Sequence, residues 1–183
     1  MEIASLETVD VFVGLGSNLG DSAHTLLKAW KILGEQEGIE LKNISRPYIS
    51  SPVDMTSTNW FTNAVGHLTT TLSAYHLLDI LLETEQSLGR VRKENHKGYQ
   101  DRVVDLDLLY YGILIQGEPR LTVPHPHLYE RLFVLAPLDA IAPEFIDPDK
   151  NVSISTLYHN LLDRIDNKII ETQEIKESGW DDA

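Results

Sequence analysis

Cysteine is absent from this chain of 183 residues. A disulfide framework and any thiolate metal site are therefore excluded. Basic side chains are scarce as well: 15 Lys and Arg stand against 28 Asp and Glu, a formal charge of -13. The averaged field of such a chain repels phosphate polymers, so neither nucleic acid nor an anionic membrane is an expected partner. An aromatic-rich strand motif of the RNA-binding type is also missing. No apolar run reaches the ~18 residues that would mark a membrane-spanning helix. Met1 to Thr8 carry two acids and no basic side chain, so a secretory leader is not expected and a cytoplasmic protein is. Internal repeats and low-complexity linkers are lacking too. The length fits one globular domain across 1–183, with a core over about 9–165 and with 1–8 and the polar stretch 171–183 flexible.

Against this acidic background, residues 89–102 gather Arg90, Arg92, Lys93, Lys97 and Arg102 and only two acids, Glu94 and Asp101. A local positive patch on an acidic protein suits a small anionic ligand. Directly downstream runs Val103-Val104-Asp105-Leu106-Asp107-Leu108-Leu109-Tyr110-Tyr111, which reads as a strand. Alternate strand residues share a face about 6.5 to 7 Å apart, so Asp105 and Asp107 point one way and their apolar neighbours the other. Asp is a poor strand former, so two in one short run need a reason. Oxygen-only ligands suit Mg2+, which completes its shell with water and substrate phosphates. The residues imply a Mg2+-nucleotide site with phosphoryl-type transfer as its chemistry.

Along the chain, strand and helix signals alternate. Val9, Val11 and Val13 mark a first strand to Gly16; Asp21 or Ser22 caps a helix with Leu26, Leu27, Trp30 and Leu33 on one stripe, ending near Gly38. Strands follow at 39–49 and 61–72, separated by the loop 50–59. Ser73 caps a second helix bearing Leu77, Leu78, Leu81 and Leu82 as far as Leu88, and the acidic strand 103–111 comes next. A short run, Ile113 to Gln116, lies between Gly112 and Gly117; residues 121–145 hold four prolines and a short helix, and Ser153 to Leu162 reads as the last helix. The expected class is α+β, a ferredoxin-like βαββαβ sandwich with an additional C-terminal hairpin strand and helices. Gly14-Leu15-Gly16-Ser17-Asn18-Leu19-Gly20 misses the dinucleotide fingerprint by one residue, and there is no G-K-[ST]. A tight turn into a capped helix, with Asn18 bonding inside that loop, is the expectation.

Five segments in this order resemble the 6-hydroxymethyl-7,8-dihydropterin pyrophosphokinase family of folate biosynthesis over about residues 9–150. They are Gly16-Ser17-Asn18-Leu19-Gly20, Asn63 after Phe61, Gly89-Arg90-Val91-Arg92, Arg102-x-x-Asp105-Leu106-Asp107, and Leu121-Thr122-Val123-Pro124-His125 followed by Arg131-x-Phe133. The resemblance implies transfer of pyrophosphate from ATP to the pterin hydroxymethyl group with release of AMP, on a ferredoxin-like fold with two Mg2+ ions. It further implies that Asp105 and Asp107 ligate both metals, and that Arg90 and Arg102 act with them in the chemical step. Arg90, Arg92, Arg102, Thr122, His125 and Arg131 would contact ATP. Val53, Phe61, Asn63 and Phe133 would contact the pterin, and Glu85 would stand behind the metal centre. The loop before the acidic strand departs from the family pattern: Lys97-Gly98-Tyr99-Gln100-Asp101-Arg102 lacks the usual proline and is longer, so Tyr99 could supply aromatic cover there.

Other readings compete at this level. His125-Pro126-His127 could be half of a zinc site, although no third ligand stands at suitable spacing. A noncatalytic ligand-binding module on the same fold is the alternative to an enzyme. Loops 50–59 and 89–102 are expected to close over bound substrates, in a monomer or weak homodimer.

Overall fold

The computed structural model describes residues 7–52, 58–90 and 101–181. In chain order its elements are β1 Val9–Ser17, α1 Ser22–Gly34, β2 Ile39–Ile44, β3 Tyr48–Ser50, β4 Phe61–Thr70, α2 Ala74–Ser87, β5 Asp105–Tyr111, β6 Gln116–Gly117, β7 Thr122–Val123, a 3-10 turn Leu128–Glu130, α3 Leu132–Ile141, α4 Ile154–Asp166 and β8 Ile175–Glu177. The fold is mixed α+β. Its main sheet runs β5-β1-β4-β3-β8, with β2 also on β4, and every pairing is antiparallel. β6 and β7 form a separate small hairpin.

Alternation along β1 divides the core in two. Val11, Val13 and Leu15 face α1 and α2 together with Leu68, Leu106 and Leu108. Phe12 faces the other way, with Val65, Leu109 and Tyr110, and meets α3 and α4. The sheet is thus covered on both sides, which is why β4 reads as buried at nearly every position instead of at alternate ones. One irregularity matters for the site. Phe12 pairs with Tyr110 while Val13 pairs with Leu108, so Leu109 is an extra residue on β5. Up to Leu108 the alternation is undisturbed, and Asp105 and Asp107 share the face opposite Leu106 and Leu108.

Caps account for the helix starts. Asp21, Ser73 and Ser153 each accept from the amide three residues on, at His24, His76 and Thr156. Several expectations need correction. Helix α1 ends at Gly34, not near Gly38; Gly38 instead takes φ +83 in the turn into β2, and Leu27 is 38% exposed, outside the buried stripe. The single strand expected over 39–49 is two, because Ser45-Arg46-Pro47 interrupts it and Ser45 bonds back to Val65. The acidic strand begins at Asp105, not Val103. Ile113 and Ile115 stay exposed, and only Gln116 and Gly117 pair with β7. Within the polar stretch 171–183, Ile175–Glu177 adds a strand beside β3.

Gly66, on β4, lies under the indole of Trp30, where a Cβ would come within 2.3 Å of the ring. Gly66→Ala therefore overpacks the interface between α1 and the sheet and is expected to cost about 1–3 kcal/mol. Urea unfolding followed by circular dichroism reads this directly, and an unshifted midpoint would contradict the packing described.

Candidate active site

Strand register builds the floor of a cleft on the sheet face that α3 only partly covers. Gly16 pairs with Asn63 on one side and Asp105 on the other; two residues back, Gly14 pairs with Val65 and Asp107. The two glycines contribute no side chain, so a trough lies between Asn63 and Val65 on one side and the two carboxylates on the other. A Cβ at Gly16 would stand 3.3 Å from Asn63 Oδ1 and 4.0 Å from Asp105 Cβ, a fit that would fill the trough. Ser50, Ser51 and Phe61 form one wall, and Arg131, Phe133 and Val134, at the start of α3, form another. Both glycines lie within β1, which runs one residue past the Gly16 expected as its end.

Charge is concentrated at the carboxylate end. Asp105 accepts from Arg90 at one oxygen and from Arg102 at the other. Arg90 also donates to Glu85, 2.5 Å away, and Glu85 is 1% exposed on α2. The same Glu85 oxygen takes the amide of Leu106 at 2.8 Å, a donor that β5 turns away from β1, its partner strand among the described residues. Burial opposes the charge of Arg90, yet the neighbouring Asp105 and Glu85 carboxylates hold its pKa above the ordinary value. Among the described residues Asp107 has only the longer approach of His125 Nε2, 3.9 Å away. Burial and then the Asp105 charge push its pKa up to about 7, against the pull of Arg131 and Arg102, although 40% of its side-chain surface still opens to the cleft. Two carboxylates on one floor, one of them poorly compensated, are a donor set that suits a hard cation. Among the described residues there is no group of three or more His, Cys, Asp or Glu side chains placed to hold a metal ion.

His125 borders this floor. Its Nδ1 accepts from the His127 amide at 3.2 Å, which leaves the proton on Nε2, and Nε2 stands 3.9 Å from Asp107 Oδ1. Burial, then Arg131 and His127, lowers its pKa to about 4, so at neutral pH it is an uncharged donor aimed at the cleft. Among the pterin candidates, Asn63 donates to Ser50 Oγ at 2.9 Å, Phe61 lies under the Arg102 guanidinium at 5.6 Å, and Phe133 lies beside Arg131 at 5.7 Å. Thr122 is not brought in: it is exposed on β7 and its hydroxyl donates to the Glu118 carbonyl. Val53, Arg92 and Tyr99 lie outside the described residues.

Residues 12–143 match the family described as 7,8-dihydro-6-hydroxymethylpterin-pyrophosphokinase (HPPK). The chain belongs to this family. Among curated relatives of HPPK type, 2-amino-4-hydroxy-6-hydroxymethyldihydropteridine pyrophosphokinase of Methylorubrum extorquens is 38% identical over 74% of this chain and 84% of its own. The Porphyromonas gingivalis protein of the same name is 37% identical over 73% and 90%. The folate synthesis bifunctional protein of Arabidopsis thaliana is 37% identical over 84% of this chain but 32% of its own length. Among solved structures, Plasmodium falciparum HPPK-DHPS with pteroate superposes with a TM-score of 0.69 at 14% identity, over 92% of this chain. This chain spans 48% of that one, about half its length.

One link in this HPPK chain escaped sequence reasoning. Asn18 does not bond within its own loop: its Oδ1 accepts from the Arg102 amide at 2.8 Å, its Nδ2 donates to Asp101 at 2.6 Å, and its own amide donates to the Arg102 carbonyl at 3.2 Å. Asn59 donates to the other Asp101 oxygen at 2.8 Å. The segments entering β4 and β5 are thereby tied together just ahead of Phe61 and Arg102. The one sequence signal was that the stretch 97–102 departs from the family pattern.

Glu85→Ala would leave the Arg90 charge with one carboxylate fewer and strip the Leu106 amide of its acceptor. We expect a loss of about 3–5 kcal/mol, as for breaking a buried charge pair. Guanidinium denaturation measures it, and a loss below about 1 kcal/mol would mean that Glu85 behaves as an exposed charge.

Proposed function

We propose that this protein transfers the pyrophosphoryl group of ATP to the hydroxymethyl oxygen of 6-hydroxymethyl-7,8-dihydropterin, releasing AMP, with Asp105, Asp107, Arg90 and Arg102 at the chemical centre. The observation that carries the reading is the trough itself, with a carboxylate pair at one edge, a hydrogen-bonding amide at the other and phenyl rings in its walls, in a chain of this family. We read the order β5-β1-β4, with β2 and β3 both beside β4, as supporting a ferredoxin-like βαββαβ unit to which the β6–β7 hairpin, α3, α4 and β8 are additions.

In the reaction the hydroxymethyl oxygen bonds to the β-phosphorus, the bond from that phosphorus to the α,β-bridging oxygen breaks, and AMP leaves with the bridging oxygen. Two Mg2+ ions, held by Asp105 and Asp107, would neutralise the phosphates and lower the pKa of the attacking hydroxyl. The side chains mainly position and stabilise charge. Arg90 and Arg102, both already on Asp105, offer flat guanidinium forks to phosphate oxygens in paired bonds that a lysine cannot reproduce. His125 donates Nε2–H to a phosphate oxygen, and Arg131 reaches the nucleotide with Arg92, while Thr122 stays outside the site. Glu85 keeps Arg90 in place from behind. On the pterin side, Asn63 and backbone groups near Val53 meet the polar ring edge while Phe61 and Phe133 cover its flat faces. The protein acts in the cytoplasm as a monomer or weak homodimer and needs neither nucleic acid nor membrane; no helix among the described residues is long and apolar enough to cross one.

Mixing the protein with ATP, Mg2+ and the reduced hydroxymethylpterin should release AMP and not ADP. Binding without turnover would instead mark a noncatalytic module. Asp105→Ala and Asp107→Ala should each fold and lose at least ~100-fold in kcat, the scale of removing a group that stabilises transition-state charge. Activity near wild type in either variant would remove the carboxylate pair from the mechanism.

A further inference from the structure

The family match ends at residue 143, yet two walls of the cleft are joined by residues 173–177, beyond it. On one side, β8 pairs with β3 through Tyr48–Glu177, Ile49–Lys176 and Ser50–Ile175, and the Ser51 amide extends the ladder by donating to the Glu174 carbonyl at 3.1 Å. Ser50 in turn accepts from Asn63. On the other side stands the start of α3. Arg131 is its cap residue, extended at φ -113 and ψ 104, and its side chain makes no capping bond. A helix start without a cap leaves first-turn amides in need of acceptors. Gln173 supplies one from 41 residues away: its Oε1 accepts from the Leu132 amide at 2.8 Å while its Nε2 donates to the Glu130 carbonyl at 2.6 Å. One side-chain amide thus holds the peptides immediately before and after Arg131, and the residue next to it in sequence is hydrogen-bonded to the opposite wall.

We propose that Gln173 is a positioning residue for this cleft: by bracketing Arg131 while its neighbours pair with β3, it fixes where the Arg131 guanidinium and the Phe133 ring stand relative to Asn63. The inference rests on the pyrophosphokinase reading for its catalytic consequence but not for its geometry. A glutamine meets the requirement because its amide both accepts and donates at one end of a reach long enough to cross between segments. Glutamate can replace only the accepting half, and alanine neither.

Two measurements on the full chain test it. Amide hydrogen exchange of Leu132 should quicken at least tenfold in Gln173→Ala and return toward wild type in Gln173→Glu, with the amides of α1 and α2 unchanged. In AMP-release kinetics Gln173→Ala should raise KM about tenfold for pterin and for ATP with kcat within threefold, and Gln173→Glu should recover part of that rise. Unchanged Leu132 exchange in Gln173→Ala overturns the inference, as does a fall in kcat at constant KM, which is what a simple loss of folded protein gives. If the wild-type protein releases no AMP, the functional reading fails while the exchange experiment still decides the role of Gln173.

Discussion

The pairing of β1 with its two neighbours at Gly16 is the constraint on which the site depends. Because Gly16 lies opposite Asn63 on β4 and Asp105 on β5, backbone hydrogen bonds alone set an amide and a carboxylate on either side of a residue with no side chain. A one-residue slip on either ladder would send one of those groups to the face of α1 and α2. Leu68 on β4 and Leu106 and Leu108 on β5 resist that slip, since it would bring those side chains out of the core. Fold stability and site geometry are therefore the same register, specified by the same strand.

The charged centre is a second layer of the same logic. An acidic protein places two guanidinium groups on one carboxylate, Asp105, and backs one of them with a buried glutamate. Burying such charges is tolerable only when each is paired and hydrogen-bonded, and Glu85 meets both conditions at once through Arg90 and the Leu106 amide. Asp107 is left with more unrelieved repulsion than its neighbour, which makes the floor receptive to positive charge. Two cationic arginines within reach of the same floor suit a ligand rich in phosphate.

Much of this was legible before any coordinates. The two-residue spacing of Asp105 and Asp107, the serine cap at Ser73, and the succession of strands and helices up to β5, apart from the break between β2 and β3, are local signals, and local signals survive in the fold. The glycine segment was harder to place: Gly16 lies inside the strand and not in the turn that follows it, and the close approach of Asn63 is what favours a residue without a side chain there. The end of α1 moved because Gly38, the residue that looks like a stop, serves the turn that follows. What the sequence hides is pairing over distance. Asn18 meets Asp101 across 83 residues, and Ile175–Glu177 becomes a strand only because β3 offers it an open edge. A short polar run has no periodicity strong enough to announce that.

The surplus residue at Leu109 has its own consequence. Without it, strict alternation would aim Tyr110 away from the side that bears Asp105 and Asp107. With it, the Tyr110 hydroxyl reaches Asp147 at 2.5 Å, where Tyr129 and the amides of Asp149 and Lys150 converge on the same carboxylate just ahead of α4. A single strand can thus offer its acids at one end and moor the outer helical layer at the other, both on one side of the sheet, so the roof of the cleft and its floor are carried by the same length of backbone.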